Sequence, residues 1–126
     1  MRSRGFTLVE LLLVLLIVAL LASLVAPVVT GSIQHAREST LRQDLQEMRK
    51  AIDGYYGDTG AYPAELEVLV KKRYLRRIPL DPITEKRDSW LLVHTEDAKT
   101  GKGGGIIDVR SGSMDKASDD SFYKDW

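Results

Sequence analysis

Residues 6–29 read FTLVELLLVLLIVALLASLVAPVV, an apolar run broken by one charge, Glu10. As a helix rising about 1.5 Å per residue, this stretch extends roughly 36 Å. That is enough to cross a hydrocarbon layer of about 30 Å. The run therefore contributes little to a soluble core. What remains, from about Gly31, is a charge-dense segment with periodic apolar residues, fewer than a hundred residues long. A core of that size is marginal by itself. Support must come from the long helix, a bound ion or neighbouring subunits. The chain has 18 basic and 18 acidic residues, so its neutral balance leaves no electrostatic footprint for nucleic acid. With no cysteine, a disulfide framework and a cysteine-based metal site are both excluded. An oxidising compartment is not, because exported proteins need not carry disulfides.

Three readings of the first thirty residues compete. A secretory signal has a basic start, a short apolar core and a small-residue cleavage site. Arg2 and Arg4 supply the start, and Ala22-Ser23-Leu24-Val25-Ala26 loosely mimics the site. The run is too long for such a core, and Glu10 lies inside it. A plain membrane anchor accounts for the length and, through the two arginines, for an inside-facing N-terminus. It leaves Glu10 unexplained, since a carboxylate in a membrane helix is costly and implies a partner.

A third reading accounts for all three features. Arg4-Gly5-Phe6-Thr7-Leu8-Val9-Glu10 resembles the processing motif of type IV prepilins and type II secretion pseudopilins. The resemblance implies a dedicated prepilin peptidase that cuts between Gly5 and Phe6 on the cytoplasmic side and methylates the new amine of Phe6. Residues 1–5 would then be a cleaved leader, 6–29 a membrane-spanning and filament-core helix, and 30–126 a periplasmic head. Glu10 falls where the family places its glutamate, and Pro27 matches a helix-disrupting proline of many members. The physics supplies a reason. An unpaired amine and an unpaired carboxylate are both expensive in a low-dielectric layer. Pairing Glu10 of one subunit with the Phe6 amine of the next lowers both costs and fixes axial register. Pro27 removes a helix hydrogen bond and crowds the preceding turn. It reads either as a kink near the membrane surface or as a point of melting during extraction into a filament.

The helical pattern continues. Ile33, Ala36, Leu41, Leu45, Met48, Ile52 and Tyr55 recur mostly at three- and four-residue steps, and Arg37, Glu38, Arg42, Asp44, Glu47 and Arg49 fill the other faces. This predicts an amphipathic helix over residues 31–56, stopped by Gly57-Asp58-Thr59-Gly60. Leu66, Leu69 and Val70 mark one face of a short helix. Pro79 and Pro82 exclude regular helix around them. Lys71, Lys72, Arg73, Arg76 and Arg77 form a basic cluster, best read as a solvated face and otherwise as a contact with another subunit or an acidic partner. Residues 90–94 and 106–110 are strand candidates, separated by a glycine-rich loop at 100–105. That loop lacks the strand-to-helix setting of a phosphate cradle. The expected fold is α+β: a long N-terminal helix packed on a small antiparallel sheet of two to four strands, with a C-terminal loop.

The tail is rich in Ser, Gly and Asp, with Phe122, Tyr123 and Trp126 placed to pin it. Clustered carboxylates and hydroxyls suit calcium, which takes six to eight oxygens, but the spacing is no EF-hand. A solvated acidic tail is the alternative. The phrases around Tyr62-Pro63, Tyr74-Leu75 and Pro79-Leu80-Asp81-Pro82, and the closing run from Asp108 to Trp126, resemble G-type pseudopilins. That resemblance implies calcium in the C-terminal loop, with Asp119 first among the ligands, then Asp115, Asp120 and Ser113. Asp120 stands where glycine often follows.

His35 and His94 read as structural, and no catalytic set is apparent, so no enzyme is expected. The implied function is that of a structural subunit in a helical homo-oligomeric filament, drawn from the bacterial inner membrane to drive export of folded proteins. Implied partners are minor pseudopilins and an inner-membrane assembly platform with a cytoplasmic ATPase. The alternatives are a surface pilin for adhesion, motility or DNA uptake, and a single-span membrane protein with a binding head.

Overall fold

A computed structural model of the chain describes residues 3–95 and 104–126. Arg2 of the basic start and most of the glycine-rich loop lie outside the described residues. The elements in chain order are α1 (Leu8–Thr59), α2 (Leu66–Lys71), β1 (Leu91–His94), β2 (Ile106–Arg110) and a 3₁₀ turn at Tyr123–Asp125. The chain divides into two compact units, Met1–His35 and Ala36–Trp126.

In the first unit α1 begins at a cap. The Glu10 amide donates to the Thr7 hydroxyl at 3.2 Å, and the Leu11 amide donates to the Thr7 carbonyl at 3.1 Å. The first uses one of the donors that a helix start leaves unpaired, and the second is the first bond of the helical ladder. The helix runs through Pro27. Hydroxyls around the proline fold back onto carbonyls of the preceding turn: Ser23 to Leu20, Thr30 to Ala26 and Pro27, and Ser32 to Val28. Such bonds satisfy these hydroxyls within the helix itself, so the side chains need no outside partner in an apolar medium. Every large apolar side chain from Phe6 to Val29 is exposed.

The second unit holds the core. Leu41, Leu45, Met48 and Ile52 repeat at one helical face, and each is at most 2% exposed. Against them pack Leu66 and Leu69 of α2, then Leu75, Trp90, Ile106, Val109, Ala117 and Tyr123. Two sequence expectations need correction here. Ile33 and Ala36 are exposed rather than part of the apolar stripe, and Glu38 is buried rather than on a solvated face. The helix also runs past Gly57 to Thr59, and Gly60, at φ 73°, ends it with its amide on the Tyr56 carbonyl.

The strands pair antiparallel, Leu92 facing Val109 and Val93 facing Asp108, with a bulge between Val93 and His94. Among the described residues the sheet has two strands. Trp90 precedes β1 instead of opening it, and its indole donates to the Pro79 carbonyl at 2.9 Å. The proline-bearing segment is organised by Asp81, which is fully buried. Its Oδ1 accepts from the Ile83 and Thr84 amides, and its Oδ2 accepts from the Ser111 hydroxyl at 2.7 Å. Gly112 fits because a Cβ there would lie 1.9 Å from the Ser89 carbonyl oxygen. The basic residues Lys71, Lys72, Arg73, Arg76 and Arg77 are all exposed.

Candidate functional site

Two regions carry the expected site residues. In the first unit, Gly5 and Phe6 lie just before α1, outside any helix or strand, and Phe6 is 81% exposed. Nothing lies within 4 Å of the place a Cβ would occupy on Gly5, so this backbone is open to approach from outside. Glu10 is held by its amide to Thr7, in the Thr-x-x-Glu spacing of a capping box. The reciprocal half of that motif, carboxylate to cap amide, is not made. Among the described residues the Glu10 carboxylate meets no ion pair or hydrogen bond, and the side chain is exposed. The local geometry thus leaves an acceptor on an apolar helix surface. The capping role of Thr7 was missed in the sequence reading, although its spacing to Glu10 signals it.

The second region is the C-terminal segment. The Ala117 amide donates to the Ser121 carbonyl at 2.7 Å, and the Asp120 amide donates to the Ala117 carbonyl at 3.1 Å. Together they close a tight loop. Asp120 adopts φ 65°, the left-handed region that glycine favours and that Asp tolerates better than most residues. Asp119 is exposed, and its Oδ1 accepts from the Ser121 amide at 3.0 Å and the Ser121 hydroxyl at 2.5 Å. The Ser121 hydroxyl and then its amide hold the Asp119 carboxyl below its ordinary value of 3.8. Asp115 is exposed. Ser113 is 6% exposed, and its hydroxyl accepts from the Asp115 amide at 3.1 Å. The four expected residues lie within the eight positions 113–120 of the sequence. Among the described residues, however, no group of three His, Cys, Asp or Glu side chains converges as ligands. An ion here would draw on backbone carbonyls and single carboxylates, which calcium accepts.

The expected aromatic pins divide. Tyr123 is buried and sits 5.1 Å from the half-buried Trp126, ring to ring. Phe122 is exposed, beneath Lys116 and Lys124. Much of the holding is done by charged side chains of α1 that the sequence reading assigned to solvent. Glu38 accepts from the Ser118 amide, the Ser118 hydroxyl and the Tyr123 hydroxyl at 2.8, 2.7 and 2.9 Å. Arg49 donates to Asp108 and to the Trp126 carbonyl, both at 2.7 Å. Arg42 lies over the Trp126 ring at 4.4 Å.

A long N-terminal helix, apolar and exposed in its first half, joined to a small α+β head, defines the class of type IV pilin-like subunits. α1 is long and apolar enough to cross a membrane. Residues 1–26 match the family described as "Prokaryotic N-terminal methylation motif". The chain is 35% identical over 97 residues to "Type II secretion system core protein G" of Pseudomonas aeruginosa, covering 64% of this chain and 68% of that protein. It is likewise 35% identical to the protein of that name from Pectobacterium carotovorum, covering 62% of it, and 34% identical to the one from Escherichia coli, covering 67%. No solved structure matches the chain. The chain belongs to the type II secretion core protein G family, the structural pseudopilins.

Proposed function

We propose that the chain is the major subunit of a pseudopilus, inserted once in the bacterial inner membrane with residues 30–126 in the periplasm. Cleavage after Gly5 by a prepilin peptidase frees and methylates the Phe6 amine. Glu10 of an incoming subunit then pairs with that amine on its neighbour as copies stack into a helical filament. The observation that carries this reading is the Glu10 carboxylate, which among the described residues has no partner and stands on the part of α1 where every residue from Leu8 to Arg37 is exposed. Burying one Leu, Val or Ile side chain contributes on the order of 1.5–3 kcal/mol. An exposed run of this kind therefore strongly favours lipid before assembly and neighbouring helices afterwards.

The role is mechanical: the filament pushes folded proteins outward and catalyses nothing. Minor pseudopilins and an assembly platform driven by a cytoplasmic ATPase complete the machine. Calcium in the C-terminal loop belongs to the same reading, with Asp119 as first ligand and Asp115, Asp120 and Ser113 or nearby carbonyls completing the shell. The exposed, readily ionised Asp119 and the left-handed turn at Asp120 support it. N-terminal sequencing of the membrane-bound chain tests the processing step. A mature chain beginning at methylated Phe6 is expected, and an intact Met1 would overturn it. Calcium should raise the melting temperature of the wild type; identical melting with calcium and with chelator would remove the ion.

A further inference from the structure

Glu38 is a buried carboxylate that neither processing nor assembly uses. It is 3% exposed, and it accepts three hydrogen bonds from Ser118 and Tyr123 of the C-terminal segment. Glu38, Arg42, Leu45 and Arg49 stand at i, i+4, i+7 and i+11, which is one face of a helix. Each meets the same segment. Glu38 holds Ser118 and Tyr123, Arg42 covers the Trp126 ring, Leu45 and Trp126 line one cleft, and Arg49 takes the Trp126 carbonyl. This face runs beside the apolar stripe of Leu41, Met48 and Ile52 and differs from it in kind, being mainly charged.

We propose that residues 117–126 form a strap that opens and closes on this rail as a unit, with Glu38 as its latch. The chemistry favours separate opening. The strap contributes only two side chains to the buried core, Ala117 and Tyr123, and much of its hold is polar. Segments with few buried apolar contacts open at lower free energy than the core they cover. The groups that this segment aims at Glu38 are donors, so an apolar replacement leaves the Ser118 amide and the Ser118 and Tyr123 hydroxyls without that acceptor. Glutamine keeps most of the arrangement. Its oxygen accepts from the Ser118 amide and the Tyr123 hydroxyl, and its amide donates to the Ser118 hydroxyl, which can turn to accept. Opening would uncover Leu41 and Leu45. The proposal does not depend on an ion in the loop.

Hydrogen exchange followed by mass spectrometry, on the full chain in detergent micelles, tests it. Glu38→Ala should speed exchange in residues 117–126 by about tenfold or more, while the amides of β1 and β2 stay near wild type. Glu38→Gln should remain within about threefold of wild type across the strap. Tyr123→Phe keeps the ring and deletes one donor; it should speed the strap alone by about threefold, and it carries the test if the alanine variant does not fold. Unchanged strap exchange in Glu38→Ala or Tyr123→Phe would overturn the proposal. So would a rise spread evenly over the head, or a glutamine variant as fast as the alanine one.

Discussion

Leu16 and Leu45 are the same residue in the same helix, and their surroundings are opposite. Leu16 is 57% exposed within the unit of residues 1–35; Leu45 is 2% exposed within the unit of residues 36–126. The second unit finds its apolar partners within its own chain, in α2, β2 and the C-terminal segment. The first leaves its large apolar side chains from Phe6 to Val29 exposed, and under the proposed function lipid and other copies cover them. One unit is therefore specified by its sequence alone, and the other by its sequence together with its medium.

Leucine-to-alanine changes can break that contrast. Leu45→Ala should destabilise the head by about 2–5 kcal/mol, because a filled site becomes a cavity. Leu16→Ala should leave head melting unchanged, since nothing in the head rests on it. Urea melts of the full chain in detergent, read from the fluorescence of Trp90 and Trp126, check both; equal losses would erase the distinction.

A smaller effect comes from Asp81→Ala. It strands the Ser111 hydroxyl and the Ile83 and Thr84 amides, and should cost about 3 kcal/mol in the same melts. The Glu10 carboxylate differs in that among the described residues no donor reaches it.

Two carboxylates of the head should move stability in opposite directions with pH. Burial first, then Glu47 and Asp81, pushes the Asp44 carboxyl above its ordinary value of 3.8. The folded state then binds the extra proton, so stability falls as pH rises from 3.8 through the raised value. Asp44→Asn should raise the melting temperature slightly at neutral pH, a gain that disappears below 3.8. Asp119 is the reverse case. Its carboxyl is depressed, so its contribution is present above 3.8 and is lost as pH falls through the folded value. Asp119→Asn should lower the melting temperature slightly at neutral pH and match wild type in strong acid. Thermal melts across pH check both signs, and parallel profiles for the two variants would contradict the assigned causes.

What the sequence made legible follows the range of the interactions. Leu41, Leu45, Met48 and Ile52 were readable because helical period alone sets their face. Leu66 and Leu69, and the strands at 91–94 and 106–110, were readable from short apolar runs between turn residues. Glu38 was not. Its partners lie 80 and 85 residues away, and a charge on an amphipathic helix reads by default as solvated. Arg42 and Arg49 were hidden in the same way, by contacts with Trp126. Ile33 and Ala36 fit the period but stand before the first buried residue of the helix, Glu38, so periodicity extended the apolar stripe beyond the residues that pack. Thr7 was legible and overlooked, because Glu10 drew attention to its charge and not to its amide.

The account turns on Glu10 as an intermolecular partner. In cells, Glu10→Ala should fractionate with the membrane as the wild type does, since removing a charge from an apolar helix does not oppose insertion. Sheared filaments recovered from those cells should fall by about tenfold or more, because the Phe6 amine of each neighbour loses its partner. Wild-type filament yield from the membrane-inserted variant would contradict the account.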